Sequence, residues 1–317
     1  MRRRSPRFGA YATKWRALLG RGYDAPALLR RWIHLTLLAA VVVALVGMLV
    51  TAPSAFADFF TPESGGSPQA EDIDTLYKIT LYIGTVVFVG VEATLIWSLI
   101  KYRARRDGPE AHQIHGNTPL EIGWTVGAAL ILVVLTVVTF IYLPDIENPP
   151  ASGPNGLRAE QARFASIDQP DPPKSGGPIL RIEVNGQQYL WRYDYAGGDQ
   201  LFAHYEMVVP TDTTVVLEVS ASDVIHSWWI PKLGGKVDGV PGHVNETWFK
   251  IPAGKEGLYA GQCAELCGAG HADMRAVVRA VTPDEFEDWA EQTREDIKEA
   301  GEALAEQRER REGSEQQ

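Results

Sequence analysis

Gly261-Gln262-Cys263-Ala264-Glu265-Leu266-Cys267-Gly268-Ala269-Gly270-His271-Ala272-Asp273-Met274 brings two thiols, an imidazole and a thioether into twelve residues. The glycines let the backbone turn tightly enough for those side chains to converge. Thiolate and thioether are soft ligands, and together with imidazole they favour copper. A structural zinc site would want four Cys/His ligands and would rarely use methionine. In an exported domain Cys263 and Cys267 could instead form a disulfide. The His and Met just beyond them make a metal site the sharper reading.

A second imidazole is needed, and His226 is the candidate. It lies in Ser222-Asp223-Val224-Ile225-His226-Ser227-Trp228, at the end of a strand and 37 residues before Cys263. A β-sandwich can lay such a strand end beside the cysteine loop. A blue one-copper site uses one Cys, two His and a weak axial ligand. Two cysteines leave room for a second copper.

Working outward, residues 179–281 alternate as strands do. Leu180, Ile182 and Val184 share one face, and Asn185-Gly186 predicts a hairpin turn. Tyr189, Trp191, Tyr193 and Tyr195 put four aromatics on one face of the next strand, and Val215, Leu217 and Val219 repeat the pattern. About a hundred residues of short strands with turn chemistry predict a β-sandwich. Thr282-Pro283-Asp284-Glu285 then opens a helix, with Thr as N-cap and Glu three residues on. Residues 282–317 read as a charged C-terminal helix and tail, a partly frayed helix or disorder beyond about Lys298.

The first half differs in kind. Ile79–Ile100 is interrupted only by Glu92, and Ile122–Leu143 carries no charge. Each is long enough to cross a hydrocarbon core of about 30 Å as a helix. The expected hairpin occupies residues 71–144, with spans at about 77–101 and 121–143. Lys101, Arg103, Arg105 and Arg106 sit between the spans, while 58–75 hold no Lys or Arg. The positive-inside rule puts that connection in the cytoplasm and both hairpin ends outside. Residues 1–57 combine a basic region, the apolar run Leu35–Val50 and Ala55-Phe56-Ala57. That is the pattern of a signal peptide, or of an extra anchor if it is retained. Residues 145–178, rich in Pro and Gly, read as a linker.

The net charge of −10 argues against nucleic acid as a partner. It is largely a sum of two tails: nine Lys/Arg against one Asp in residues 1–34, and thirteen Asp/Glu against five Lys/Arg in 282–317. There is no Cys-x-x-Cys-His, hence no covalent haem on this chain.

Cys-x3-Cys-x3-His-x2-Met, with His226 in Asp-Val-x-His-Ser-Trp, resembles the dinuclear CuA site of cytochrome c oxidase subunit II. The resemblance covers roughly residues 71–290. It implies a membrane-anchored α+β chain, a two-helix transmembrane hairpin followed by a cupredoxin-like β-sandwich. It implies two copper ions held by Cys263, Cys267, His226 and His271, with Met274 and the backbone carbonyl of Glu265 as weaker ligands. The Glu265 side chain matches a position that binds magnesium or manganese at the boundary with subunit I. Implied partners are subunit I with its haem and copper, subunit III, cytochrome c as donor, and membrane lipid. The implied location is the bacterial plasma membrane, with the copper domain on the periplasmic side.

Pro119-Leu120-Glu121-Ile122-Gly123-Trp124-Thr125 resembles the family's Glu-x-x-Trp-Thr, which makes Glu121 the candidate mouth of a proton-uptake path in subunit I. Without that resemblance Glu121 is an interfacial carboxylate. Glu92 lies deeper and should be neutral, paired or facing protein. Where the family often has Gly-His-Gln-Trp-x-Trp, this chain has Gly186-Gln187-Gln188-Tyr189-Leu190-Trp191. Tyr189 replaces the aromatic residue through which electrons usually arrive, and Trp191 is the second candidate for that role. Trp228 and Trp229 are candidates for covering the metal or meeting a partner. Asp194, Asp223 and Asp238 fall near family docking or interface positions; His204 and His243 show no ligand spacing.

Three other proteins would share part of this pattern. A quinol-oxidase subunit II would lack the copper ligands. A membrane-anchored copper carrier would need no Glu121-Ile122-Gly123-Trp124 helix start. The copper domain of nitrous oxide reductase has the ligand loop without the hairpin.

Overall fold

The computed structural model describes residues 60–103, 113–158, 178–195 and 201–315. The signal segment expected in 1–57, part of the linker, and Arg105 and Arg106 lie outside them.

Two long helices come first: α1 (Pro68–Lys101) and α2 (Thr118–Glu147). With 34 and 30 residues they are longer than the apolar runs alone, at about 51 and 45 Å. Both are apolar enough to cross a membrane, and their apolar side chains are exposed rather than packed into a core. Proline near each start suits a position whose N–H needs no partner. Glu92 lies exposed on the surface of α1.

The remainder is a β-sandwich with a terminal helix. One sheet runs in the order β3-β2-β1-β5-β8: Phe202–His204, Leu190–Tyr195, Leu180–Gln187, Thr214–Ala221 and Asn245–Lys250. The second runs β4-β10-β9: Glu206–Pro210, Arg275–Val281 and Gly257–Gln262. A two-stranded ribbon joins β6 (His226–Trp228) to β7 (Val237–Gly239). Pairing is antiparallel for β1–β2, β5–β8 and β9–β10, and parallel for β1–β5 and β4–β10. The alternation read from the sequence sets the core: Leu180, Ile182, Val184, Trp191, Tyr193, Val215, Leu217 and Val219 from one sheet meet Met207, Val209, Ala276 and Val278 from the other. The buried Tyr195 hydroxyl staples the two sheets, donating to the Val208 carbonyl and accepting from its N–H, both at 2.8 Å.

The turn expected at Asn185-Gly186 is not there. Both residues lie within β1, Gly186 opposite Trp191, and the chain reverses at Gln188 and Tyr189. Glycine at 186 serves a close approach instead: a Cβ there would stand 2.9 Å from the His226 ring.

The outer face of β5 and β8 is covered where the hairpin meets the sandwich. Ile179, Val216 and Trp248 form a small buried cluster there. The Ile146 carbonyl, in the last turn of α2 and without a helical partner, accepts Trp248 Nε1 at 2.9 Å and Gln69 Nε2 at 3.0 Å. Ser67 at the head of α1 accepts the Lys250 N–H, and Thr214 donates to the Pro150 carbonyl. Helix α3 (Pro283–Glu315) opens with the reciprocal bonds of a capping box between Thr282 and Glu285. It buries Phe286 and Ala290, with Trp289 against Tyr195, and remains helical through its charged, exposed second half.

Candidate metal centre

Three segments converge at one end of the sandwich. His226 opens β6, Cys263 follows β9, and Met274 precedes β10. Backbone bonds fix them together: Cys263 N–H to the Met274 carbonyl at 2.8 Å, and Ala264 N–H to the Ser227 carbonyl at 2.9 Å. His271 to Asp273 form a single 3-10 turn that returns the loop to β10. The loop also leans on the tip of the β1–β2 hairpin. Gly268 has φ +129°, and a Cβ there would stand 2.6 Å from the Tyr189 hydroxyl; one on Gly270 would strike the Tyr189 ring.

The donor atoms gather closely. Cys263 Sγ lies 3.9 Å from Cys267 Sγ and 3.9 Å from His226 Nδ1. Cys267 Sγ lies 3.6 Å from His271 Nδ1 and 3.8 Å from Met274 Sδ. The Glu265 carbonyl is 3.2 Å from Cys263 Sγ. Among the described residues, His226, Cys263 and Cys267 offer ligand atoms all within 4.8 Å of one another. Their exposure is 0–4%. His271 is half-buried at the rim, and the Glu265 side chain is exposed.

This arrangement fits copper. Donors sharing a tetrahedral metal at about 2.0 Å (N) and 2.3 Å (S) stand about 3.5–3.8 Å apart, close to the separations seen here. Asp223 Oδ1 lies 2.8 Å from His226 Nε2. An ionised carboxylate only accepts, so Nε2 carries the proton and the lone pair of Nδ1 faces Cys263. Partial burial raises the Asp223 carboxyl, but hydrogen bonds from His226 and from the Gln188 and Val224 N–H groups outweigh it and hold the group below the usual range. Burial, then the neighbouring Cys263, pushes the Cys267 thiol up to about 11. A soft cation must therefore displace a tightly held proton.

The family model described as "Cytochrome C oxidase subunit II, transmembrane domain" matches residues 53–141, and that described as "Cytochrome C oxidase subunit II, periplasmic domain" matches 196–281. A "Probable cytochrome c oxidase subunit 2" of Rickettsia bellii is 31% identical over 78% of this chain and 91% of its own length. The chain belongs to the cytochrome c oxidase subunit II family. The "Cytochrome c oxidase subunit 2" of Alkalihalophilus pseudofirmus is 34% identical over 76% of this chain and 64% of its own length. Among solved structures, the periplasmic domain of subunit II of a Bradyrhizobium japonicum cytochrome oxidase is 36% identical, covering 37% of this chain and 94% of that one, with a TM-score of 0.35. As a member of this family the chain is a membrane-anchored oxidase component: a transmembrane hairpin and a cupredoxin-like domain.

Other candidate positions of this chain fall in distinct places. Trp191 is fully buried, edge-on to His226 with ring centroids 5.7 Å apart, whereas Tyr189 is half-buried against the ligand loop. Trp228 covers no surface: it is buried and stacked on Phe249 at 6.2 Å. Trp229 is half-buried, with Lys236 Nζ 5.2 Å over its ring. Asp194 is held bidentately by Arg192, and Asp238 is exposed on β7. Glu121 Oε1 accepts the Asn117 N–H at 3.0 Å, and Asn117 Oδ1 accepts the Leu120 N–H. Its carboxylate thus closes the first turn of α2 while lying exposed. The sequence puts Asp223 near a family docking or interface position and does not reveal it as the partner of His226; its place three residues before the histidine is the one signal.

Proposed function

We propose that this chain receives single electrons from a cytochrome c at a dinuclear CuA centre and passes them towards the haem of subunit I, where oxygen is reduced to water with proton translocation. The observation that carries the reading is the convergence of two thiols, a thioether and two imidazole Nδ1 atoms within 4 Å steps, all but His271 buried. Cys263, Cys267, His226 and His271 would hold the pair of copper ions, with Met274 and the Glu265 carbonyl as weaker ligands. When bound, that pair supplies a one-electron relay whose charge is spread over two metals and two sulfurs.

The chain's own residues prepare this. Asp223 orients His226, the sandwich keeps water from both thiols, and the three anchoring segments are locked by β-sheet bonds. Such a preformed site changes shape little between charge states. Tyr189, in van der Waals reach of the loop glycines, is the aromatic contact proposed for an arriving donor, and Trp191, edge-on to His226, is the second candidate. Exposed Glu265 offers one hard ligand for magnesium or manganese, which subunit I would complete. Glu121 is the proposed proton-uptake mouth on the cytoplasmic side, and the copper domain faces the periplasm of a bacterial plasma membrane. Subunit III is expected in the same complex.

The test is copper stoichiometry and the paramagnetic spectrum of the full chain purified in detergent. Two coppers sharing one unpaired electron support the reading. One ordinary copper, or zinc, overturns it.

A further inference from the structure

The tip of the β1–β2 hairpin touches both halves of the ligand set through one residue. Gln188 Nε2 donates to the Cys267 carbonyl at 2.6 Å, and Gln188 N–H donates to Asp223 Oδ2 at 2.7 Å. Asp223 in turn holds His226. Cys267 and His226 lie 41 positions apart in sequence, and no strand pair spans Cys267 directly. The Cys267 carbonyl belongs to a residue whose neighbour, Gly268, has φ +129° and stands so near that a Cβ would be 2.9 Å from Gln188 Nε2. The close approach and the hydrogen bond are separate observations of the same seat.

We infer that Gln188 is a positioning residue for the copper centre, its side-chain amide fixing the Cys267 end of the loop and its backbone N–H fixing the His226 end. Resting on the copper reading above, this assigns the hairpin tip the task of setting the distance between the two ligand groups before metal arrives. The amide can make its bond only as a donor, so a carboxylate of the same size would set two acceptors against each other. Gln187, its neighbour, sends its amide to Asn185 Oδ1 instead and away from the loop. It is an internal control on the same turn.

The experiment loads full-length wild type, Q188A, Q188E and Q187A with copper in detergent, then follows metal loss to a chelator, the paramagnetic spectrum and the melting of the metal-free chain. The backbone N–H of residue 188 survives in every variant, so only the side-chain arm is removed. Q188A should release copper about three- to tenfold faster, the scale of one hydrogen bond. Q188E should be faster still, both with an altered hyperfine pattern, while Q187A matches wild type. Wild-type release and spectra in Q188A and Q188E would overturn the inference. So would a lowered melting temperature with an unchanged spectrum, or a Q187A as impaired as Q188A. Failure of the wild-type chain to take up two coppers would instead sink the underlying copper reading, since it concerns no variant.

Discussion

Removing the Asp223 carboxylate is the sharpest test of how His226 is prepared. The carboxylate accepts three hydrogen bonds: from His226 Nε2 at 2.8 Å and Val224 N–H at 2.7 Å on Oδ1, and from Gln188 N–H at 2.7 Å on Oδ2. His226 is fully buried, so in Asp223→Ala its Nε2–H loses the acceptor it has in the structure. An unsatisfied buried donor costs about 1–3 kcal/mol, and loss of the group orienting a metal-bound histidine typically costs 10–100-fold in affinity, or about 1.4–2.7 kcal/mol. The two scales agree, and copper affinity in D223A should fall about 10–100-fold. Asp223→Asn can keep its oxygen at the Oδ1 position and lose only the Gln188 contact, so it should fall between wild type and D223A. Competition titration against a copper chelator reads both. A D223A affinity within about threefold of wild type, or a D223N chain weaker than D223A, would refute the orienting role. The Asp223 carboxyl is held below the usual range, so its effect is complete above the ordinary carboxylate pKa and lost only as pH falls through the lowered value.

Three further outcomes follow from other parts of the chain. Tyr195→Phe should lower stability by about 2–4 kcal/mol in a denaturant titration, because the Val208 N–H and carbonyl both lose a buried partner; a loss under about 0.5 kcal/mol would count against the staple. Glu285 is held below its ordinary pKa by the Thr282 N–H and hydroxyl. Its capping contribution is therefore present above the ordinary glutamate pKa and disappears as pH falls through the lowered value; helix content at the start of α3, followed by amide exchange, should show this loss in wild type and not in Glu285→Gln. Alkylation of Cys267 in the metal-free chain should rise with pH towards a midpoint near 11, and a midpoint below about 9 would contradict the burial that raises it.

How much of this could be read in advance differs by element. Hydropathy marks both membrane helices, since runs such as Ile122–Leu143 admit few alternatives. The period-two pattern of Leu180, Ile182 and Val184 marks a buried strand face, and all three are buried. Soft-ligand spacing names Cys263, Cys267, His271 and Met274, whose side chains the fold brings together. What could not be read is everything that depends on three-dimensional approach. Gly186 looks like a turn residue because turn chemistry and close packing both select glycine; only the His226 ring distinguishes them. Trp228 reads equally as a cover for the metal or a contact for a partner; buried and stacked on Phe249, it has no surface to offer a partner. Asp223 looks like one carboxylate among many until its neighbours are known, and Gln188 carries no residue-type signal at all.

The twin hydrogen bonds on the Ile146 carbonyl have a mechanical consequence. Asn148–Ser152 is no slack tether: Trp248 and Gln69 weld the end of one spanning helix to a strand and to the head of the other, while Thr214 ties down Pro150. The sandwich is mounted on its hairpin as a bracket is bolted to a post. The position of the sandwich on its hairpin is set within this one chain, so any metal held in it keeps a fixed distance from the two helices.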